Sequence, residues 1–266
     1  MNHILYTVDE VTQTIGGKAF IGRPDSGIRT ILTDSRKITD SEQGLFFAIK
    51  GRRDGHIFIK DVFKSGVKNF VIDEADFDRS AFTDCNFFLV DNSLAALQDL
   101  AQHHRLKFTY PVIGITGSNG KTVVKEWLYQ LLAPENNIVR SPKSYNSQIG
   151  VPLSVWEMNA ENDLAIFEAG ISRPGEMENL ARVIRPTIGI LTNIGEAHNE
   201  GFENTDEKIA EKLKLFEGVD IFIYSSKYLD EYTGELPGKN RFSWCYRAKA
   251  DLEVFDDEVL DGKFQF

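Results

Sequence analysis

Six consecutive residues near the middle of the chain have the types and spacing needed to hold a phosphate group. Residues 117–122 read Gly-Ser-Asn-Gly-Lys-Thr and follow a short apolar run. Gly117 and Gly120 allow the tight turn and close backbone approach that phosphate oxygens require, and a helix N-terminus after them favours an anion. Lys121 would reach the outer phosphates of a nucleotide, and the Thr122 hydroxyl would hold Mg²⁺. The stretch predicts a nucleotide phosphate loop in its short form, G-x-x-G-K-T; a glycine turn followed by a surface lysine is the alternative.

Three further side chains could meet this loop if the chain forms a parallel sheet, because ligands bind beyond the carboxyl ends of parallel strands. Glu168 closes the apolar run Leu-Ala-Ile-Phe, where a carboxylate needs a partner such as Mg²⁺. His198 follows the next apolar run, and Lys212 lies in a helical pattern. From the pattern alone, each also has a second interpretation. Glu168 could be a strand-end glutamate in a salt bridge or in water, His198 a structural histidine, and Lys212 a solvated helix lysine.

The elements that must position these residues change in rhythm near residue 107. Residues 1–106 predict a small mixed domain of short strands and helices, whose last helix ends in a cationic turn suited to a helix C-terminus. The predicted strands are Ile28–Thr33, Leu45–Ile49, Asn69–Ile72 and Phe87–Val90, and the predicted helices are His56–Ser65 and Leu94–His104. A linker at 108–111 separates this domain from a second one at 107–266.

The second domain alternates strands with helices, which predicts a parallel sheet with helices on both faces. The predicted strands are Val112–Thr116, Leu164–Phe167, Thr187–Thr192 and Val219–Tyr224, and the predicted helices are Thr122–Leu132, Pro174–Ile184 and Asp206–Phe216. The first of these helices would bury a face formed by Val123, Val124, Trp127, Leu128 and Leu131. The fold class is therefore α/β, with a small mixed domain before a parallel-sheet nucleotide-binding domain.

Composition narrows the classes of partner. The chain of 266 residues has a formal net charge of −10, which argues against a broad nucleic-acid-binding or anionic-membrane surface. Two cysteines stand far apart without metal-ligand spacing, so we expect a reducing, cytoplasmic environment. The N-terminus shows neither a secretory signal nor a membrane-spanning run.

Together, these motifs resemble those of the Mur ligase family. The 117–122 loop is similar to the family's G-[ST]-[NS]-G-K-T loop. The segments FEAG around Glu168, TNIGEAH at 192–198 and EKLKLF at 211–216 follow in the family's order, with glutamate where alanine is usual in the last. SYNSQIGVP at 144–152 resembles members that add D-alanyl-D-alanine. TDSRKI at 33–38 and LFFAIKGRRDGH at 45–56 resemble the segments that cradle the uridine nucleotide.

The resemblance implies an activity and its cofactors. Such a ligase uses ATP and Mg²⁺ to phosphorylate the peptide carboxylate of UDP-N-acetylmuramoyl-tripeptide, and the amine of D-alanyl-D-alanine then attacks the acyl phosphate. The segment SPKSYNSQIGVPLSVW at 141–156 is especially similar to that of ligases fused to an alanine racemase. The third residue of the acceptor peptide is not encoded in these motifs.

The resemblance also implies roles for individual residues. The residues of the ATP-binding loop are Gly117, Ser118, Asn119, Gly120, Lys121 and Thr122. The residues that would hold Mg²⁺ are Thr122, Glu168, His198 and Lys212. Lys212 matches a family lysine whose carbamylation turns an ammonium into a carboxylate-like oxygen donor, and with Lys121 and His198 it would be catalytic. The residues around the UDP group would be Ser35, Arg36, Lys50, Asp54 and His56, with Asn146 near nucleotide and substrate. The planar donors of Arg36 suit the pyrophosphate.

Family ligases carry a third, C-terminal domain that binds the incoming dipeptide, and we find no sequence for it in this chain. We therefore expect a fragment that binds the UDP-precursor but ligates little by itself. Three other interpretations stay open. A sister ligase would add diaminopimelate or lysine, a non-catalytic nucleotide-binding module would only keep the fold, and a generic P-loop ATPase would not need residues 1–106.

Overall fold

The computed structural model describes residues 5–195 and 201–255. Contacts within the chain divide it into two compact units. The first unit comprises Met1–Tyr110, Tyr145–Asp163 and Arg182–Ile184; the second comprises Pro111–Ser144, Leu164–Ala181 and Arg185–Phe266. The functional boundary between residues 106 and 107 stays a prediction. Among the described residues, no helix combines the length and apolar character needed to cross a membrane.

The first unit contains a five-stranded sheet in the order β2-β7-β6-β5-β4, in which only the β2–β7 pair is antiparallel. Its strands are β1 (Tyr6–Thr7), β2 (Lys18–Ile21), β3 (Gly27–Ile28), β4 (Thr30–Leu32), β5 (Gly44–Phe47), β6 (Asn69–Ile72) and β7 (Asn86–Leu89). Its helices are α1 (Val8–Ile15), α2 (Ile59–Lys64), α3 (Ser93–Arg105) and α5 (Gly150–Trp156). Strands β1 and β3 form a separate antiparallel pair.

Aromatic rings and their polar tips organise part of this unit's core. The Tyr6 ring stacks on Trp156 with centroids 5.0 Å apart, and the Tyr6 hydroxyl lies 2.8 Å from His104 Nδ1. The other His104 nitrogen lies 2.9 Å from the Met158 carbonyl, so the ring is satisfied on both sides when Nε2 carries the proton. The basic last turn predicted for α3 is confirmed, since His103, His104 and Arg105 end the helix.

The second unit is built on a seven-stranded sheet in the order β14-β13-β12-β11-β8-β10-β9. Every pair in it is parallel, and the predicted α/β class is confirmed. Its strands are β8 (Val112–Thr116), β9 (Ile138–Arg140), β10 (Leu164–Glu168), β11 (Ile188–Leu191), β12 (Ile221–Ser225), β13 (Asn240–Tyr246) and β14 (Leu252–Val254). Its helices are α4 (Lys121–Leu132), most of α6 (Glu176–Ile184) and α7 (Thr205–Leu213), the last extended by a 3₁₀ turn at Lys214–Phe216. The central strands are nearly continuous apolar runs, as strands buried on both faces require.

The buried face of α4 differs from the predicted one. Val124 and Leu128 pack against the core of β8 and β10, whereas Val123, Trp127 and Leu131 are exposed by 49%, 63% and 75%. The predicted face combined two adjacent stripes of the helix, and only one of them meets the sheet. A second difference is the start of α6 at Glu176 instead of Pro174, because Gly175 caps it in the left-handed conformation.

Candidate active site

The phosphate loop leaves the carboxyl end of β8 and enters α4, as the sequence predicts. Gly117 has φ +147°, and a Cβ there would collide with Thr192 Oγ1 and lie 3.0 Å from the Asn193 nitrogen. Gly120 has φ +80° with open space around it. Only glycine fits the first position, because both the backbone conformation and the neighbouring strand end exclude a side chain.

Hydrogen bonds tie this loop to the segment that follows β11. The Ser118 amide donates to the Asn193 carbonyl at 2.9 Å, and the Asn119 amide donates to Asn193 Oδ1 at 2.8 Å. The Thr192 hydroxyl donates to the Asn119 carbonyl at 2.6 Å. Since two loop amides are engaged in this way, the donors that an anion would meet are the N–H groups in the first turn of α4, which have no intrahelical acceptor.

Two lysines share one carbonyl at the base of the loop. The Lys121 ammonium donates to the Gly117 carbonyl at 2.8 Å, and the Lys212 ammonium lies 3.5 Å from the same oxygen. Burial lowers the pKa of Lys121, partly offset by Glu168. Burial, then the nearby Lys121 and Lys208, lower the pKa of Lys212 to about 8. Lys212 is only 3% exposed, so its interpretation as a solvated helix lysine is wrong.

Glu168 ends β10 beside the loop and is fully buried. Its Oε2 accepts a hydrogen bond of 3.0 Å from the Thr122 hydroxyl, and its Oε1 lies 2.8 Å from the ammonium of Lys125. Its backbone amide donates to Ser141 Oγ at 3.2 Å. The interpretation of Glu168 as a water-facing glutamate is therefore wrong. Glu168 forms both a salt bridge, with Lys125, and a hydrogen bond, with Thr122.

The donor set and the charge around this loop suit a polyphosphate with a divalent cation. The Thr122 hydroxyl and the Glu168 carboxylate are hard oxygen donors, the type that Mg²⁺ prefers. Lys208 is buried and donates to the Gly195 carbonyl, next to the loop. Four lysines of the described residues lie at or near the loop: Lys121 and Lys212 at the Gly117 carbonyl, Lys208 at the Gly195 carbonyl and Lys125 at Glu168. Lys125 pairs with two carboxylates, Glu168 and Glu126. This local excess of positive charge favours an anionic ligand although the whole chain is acidic.

Of the side chains predicted to surround the phosphate loop, His198 lies outside the described residues. Three residues near the loop that sequence reasoning missed are Lys125, Asn193 and Lys208. Asn193 stands in the TNIGEAH segment, and its position immediately after a strand was the available signal. Lys125 and Lys208 carried no signal, because an isolated lysine in a helical pattern normally faces water.

A second polar cluster lies at the carboxyl ends of β5 and β6 in the first unit. His56 Nδ1 lies 2.6 Å from Asp54 Oδ1, and His56 Nε2 accepts a hydrogen bond of 3.2 Å from the Asp73 amide. The Lys50 ammonium lies 3.0 Å from Asp73 and 3.7 Å from Glu74. The structure thus brings together Lys50, Asp54 and His56 as predicted neighbours. It adds Asp73 and Glu74, which sequence reasoning missed. Both follow the apolar residues of β6 directly, so the signal that identified Glu168, a carboxylate at the end of an apolar run, was present here too.

Ser35 and Arg36 occupy a turn after β4, the parallel neighbour of β5, and hence lie at the same edge of the sheet. The Arg36 guanidinium makes two hydrogen bonds to Asp34, of 2.9 and 2.8 Å, and remains 84% exposed. These hydrogen bonds hold the pKa of Asp34 at about 2. Asn146 lies in the irregular segment before α5.

Comparison with known proteins agrees with this geometry. The family model described as the Mur ligase middle domain matches residues 115–255, which is more than half of the chain. A UDP-N-acetylmuramoyl-tripeptide--D-alanyl-D-alanine ligase of Borreliella burgdorferi is 34% identical over 88% of this chain and 53% of its own length. The corresponding ligase of Treponema pallidum is 35% identical over 88% of this chain and 50% of its own length. The chain spans about half the length of the curated relatives it matches.

Solved structures show the same fold. MurF from Acinetobacter baumannii superposes with a TM-score of 0.78 at 24% identity, covering 92% of this chain and 54% of that one. MurF ligase from Thermotoga maritima in complex with ADP gives 0.69 at 27% identity, covering 81% of this chain and 50% of that one. With its phosphate loop, strand-end glutamate and buried lysine in the family's order, this chain belongs to the Mur ligase family.

Proposed function

We propose that this chain forms the precursor-binding and ATP-binding part of a ligase that joins D-alanyl-D-alanine to UDP-N-acetylmuramoyl-tripeptide. The observation that carries the proposal is the grouping of the half-buried Thr122 with the buried Glu168 and Lys212 around the phosphate loop. The names of the relatives, whose lengths this chain covers by about half, support the choice of substrates.

The loop and its lysines would bind the triphosphate of ATP. Lys121, which now donates to Gly117, would turn its ammonium to the outer phosphates, and the first turn of α4 would add N–H donors. Thr122 and Glu168 would hold Mg²⁺, with His198 as a further predicted ligand. Bound there, Mg²⁺ neutralises charge on the transferring phosphoryl group. Transfer of that group from ATP to the peptide carboxylate would break its bond to the β-phosphate and give an acyl phosphate and ADP. Attack by the dipeptide amine on the acyl carbon would then form the amide bond and release phosphate and a proton.

Lys212 is suited to carbamylation. A neutral amine reacts with CO₂ to give a carbamate and one proton, so the reaction needs a lysine that loses its proton readily. Burial and two neighbouring lysines provide this condition at Lys212. The resulting anion would lie among Lys121 and Lys208, which would stabilise it, and its oxygens would become metal ligands.

The cluster at the carboxyl ends of β4, β5 and β6 would receive the UDP group. Arg36 would exchange one or both of its hydrogen bonds with Asp34 for the pyrophosphate. Ser35, Lys50, Asp54, His56 and Asn146 are the remaining proposed precursor contacts. Because ATP and the nucleotide-linked precursor are both intracellular metabolites, we place this reaction in the cytoplasm.

Calorimetric titration of the chain with UDP-N-acetylmuramoyl-tripeptide tests the proposal. We expect saturable binding that Arg36→Ala abolishes and that Arg23→Ala preserves. Arg23 is a matched control, since it also pairs with an aspartate, Asp84, in the same unit. Retained Mg·ATP binding without any precursor binding would refute the precursor role and favour a generic P-loop ATPase.

A further inference from the structure

Helix α4 carries a buried lysine to which the phosphate loop assigns no role. The Lys125 side chain is 0% exposed, and a buried ammonium is costly unless it is paired and hydrogen-bonded. It donates to the Ser141 carbonyl at 2.7 Å and to the Lys143 carbonyl. It also lies 2.8 Å from Glu168 Oε1 and 3.2 Å from Glu126. Its position is thus fixed by the segment after β9, and one side of it faces Glu168.

Glu168 is consequently held from two sides by a single helix. Thr122 and Lys125 stand three residues apart on α4 and so project from the same face. The Thr122 hydroxyl donates a hydrogen bond to Oε2, whereas the Lys125 ammonium contacts Oε1 through an ion pair that lacks hydrogen-bond geometry. The two carboxylate oxygens therefore have different surroundings: Oε2 faces the phosphate loop and Oε1 faces a fixed positive charge.

We infer that Lys125 is a positioning residue that limits Glu168 to one metal-binding oxygen and thereby favours Mg²⁺ over Ca²⁺; this rests on the proposed nucleotide and Mg²⁺ site. A cation bound by both oxygens of Glu168 would be pushed against the Lys125 ammonium, whereas a cation beside Thr122 can contact Oε2 alone. Ca²⁺ takes six to eight oxygens and commonly binds carboxylates through both, while Mg²⁺ keeps an octahedral shell. A restrained, one-oxygen carboxylate thus suits the smaller ion.

The test is the affinity of the 266-residue chain for ADP, measured by calorimetry with saturating Mg²⁺, with saturating Ca²⁺ and with neither. The variants are Lys125→Met, which removes the charge, and Lys125→Gln, which keeps a polar group in the same space. Val219→Ala is the control, because Val219 is buried in the same unit and its truncation lowers stability without altering Glu168. We expect the ratio of Mg²⁺-supported to Ca²⁺-supported affinity to fall about tenfold in both Lys125 variants, the usual effect of losing a partner of a metal ligand.

Each outcome is decisive. A lower ratio in both Lys125 variants with an unchanged ratio in Val219→Ala supports the inference. An unchanged ratio, an equal fall in the control, or loss of folding in both Lys125 variants would overturn it and leave Lys125 a structural group. If the unaltered chain binds ADP without any dependence on a divalent cation, the proposed function itself fails, and the two failures are thereby distinguished.

Discussion

Two glycines of the phosphate loop separate the effect of backbone conformation from the effect of space. Both Gly117 and Gly120 have positive φ, but a Cβ at Gly117 would collide with Thr192, whereas nothing lies within 4 Å of one at Gly120. A left-handed conformation costs a non-glycine residue about 1–2 kcal/mol. Gly120→Ala should therefore lower the free energy of unfolding by about that amount.

Gly117→Ala carries a backbone cost of at least this size, because φ +147° lies outside the left-handed region that other residues can adopt, and it must also displace the end of β11. Breaking the hydrogen bonds that Ser118 and Asn119 donate to Asn193 adds about 1 kcal/mol each. We expect a total of about 3–4 kcal/mol. Urea unfolding followed by tryptophan fluorescence and circular dichroism measures both variants against the unaltered chain. Equal losses for the two alanine variants would refute the argument that the strand end, and not φ alone, requires glycine at 117.

Three further predictions concern charge and packing. Burial lowers the pKa of Lys212 from 10.5 to about 8, so the charged lysine destabilises the folded state below pH 8. This penalty is relieved between pH 8 and 10.5, because Lys212 loses its proton in the folded chain at a lower pH than in the unfolded chain. Lys212→Met should thus raise stability at pH 7 by about 1–3 kcal/mol, and the gain should shrink in denaturation at pH 10; a constant gain would contradict this. Arg36→Ala should raise the pKa of Asp34 from about 2 toward 3.8, which a carboxyl-carbon NMR titration would show; an unchanged pKa would contradict the assigned cause. Leu128→Ala should cost about 1–3 kcal/mol, at the low end of the range for leucine because the side chain is only partly buried. Trp127→Ala should cost less than about 1 kcal/mol; similar losses in thermal unfolding would indicate that both stripes of α4 are buried.

Local sequence signals predicted where the phosphate loop and its flanking strand and helix lie. The loop at 117–122 and the strand before it depend on neighbouring residues, so glycine spacing and an apolar run sufficed to place them. Glu168 was predictable for the same reason, as a carboxylate that ends a buried strand. The element α5 was missed because Gly150 and Pro152 lower helix propensity, although proline is accepted in a first turn, where its missing N–H has no partner to lose.

What could not be predicted depends on contacts between distant parts of the chain. Lys125 reads as an ordinary helix lysine until β9 and β10 place three acceptors around it. The exposure of Trp127 likewise depends on which side of α4 meets the sheet, and apolar spacing cannot distinguish two adjacent stripes. Which side chains surround the loop is therefore determined by the tertiary structure, whereas the position of the loop itself can be predicted from the sequence.

The attachment of the phosphate loop to Asn193 also bears on how this site can change during evolution. Asn193 binds the backbone of Ser118 and Asn119, and not their side chains. A substitution at 118 or 119 therefore leaves the hydrogen bonds to Asn193 intact and calls for no compensating change at 193, although one at 118 removes the hydrogen bonds between Ser118 Oγ and the Gly195 backbone. Correlated substitution reveals contacts between side chains, so position 193 should show none with positions 118 and 119 in a family alignment. The two segments should instead be constrained independently, one by the need for glycine at 117 and the other by the need for an asparagine after the strand.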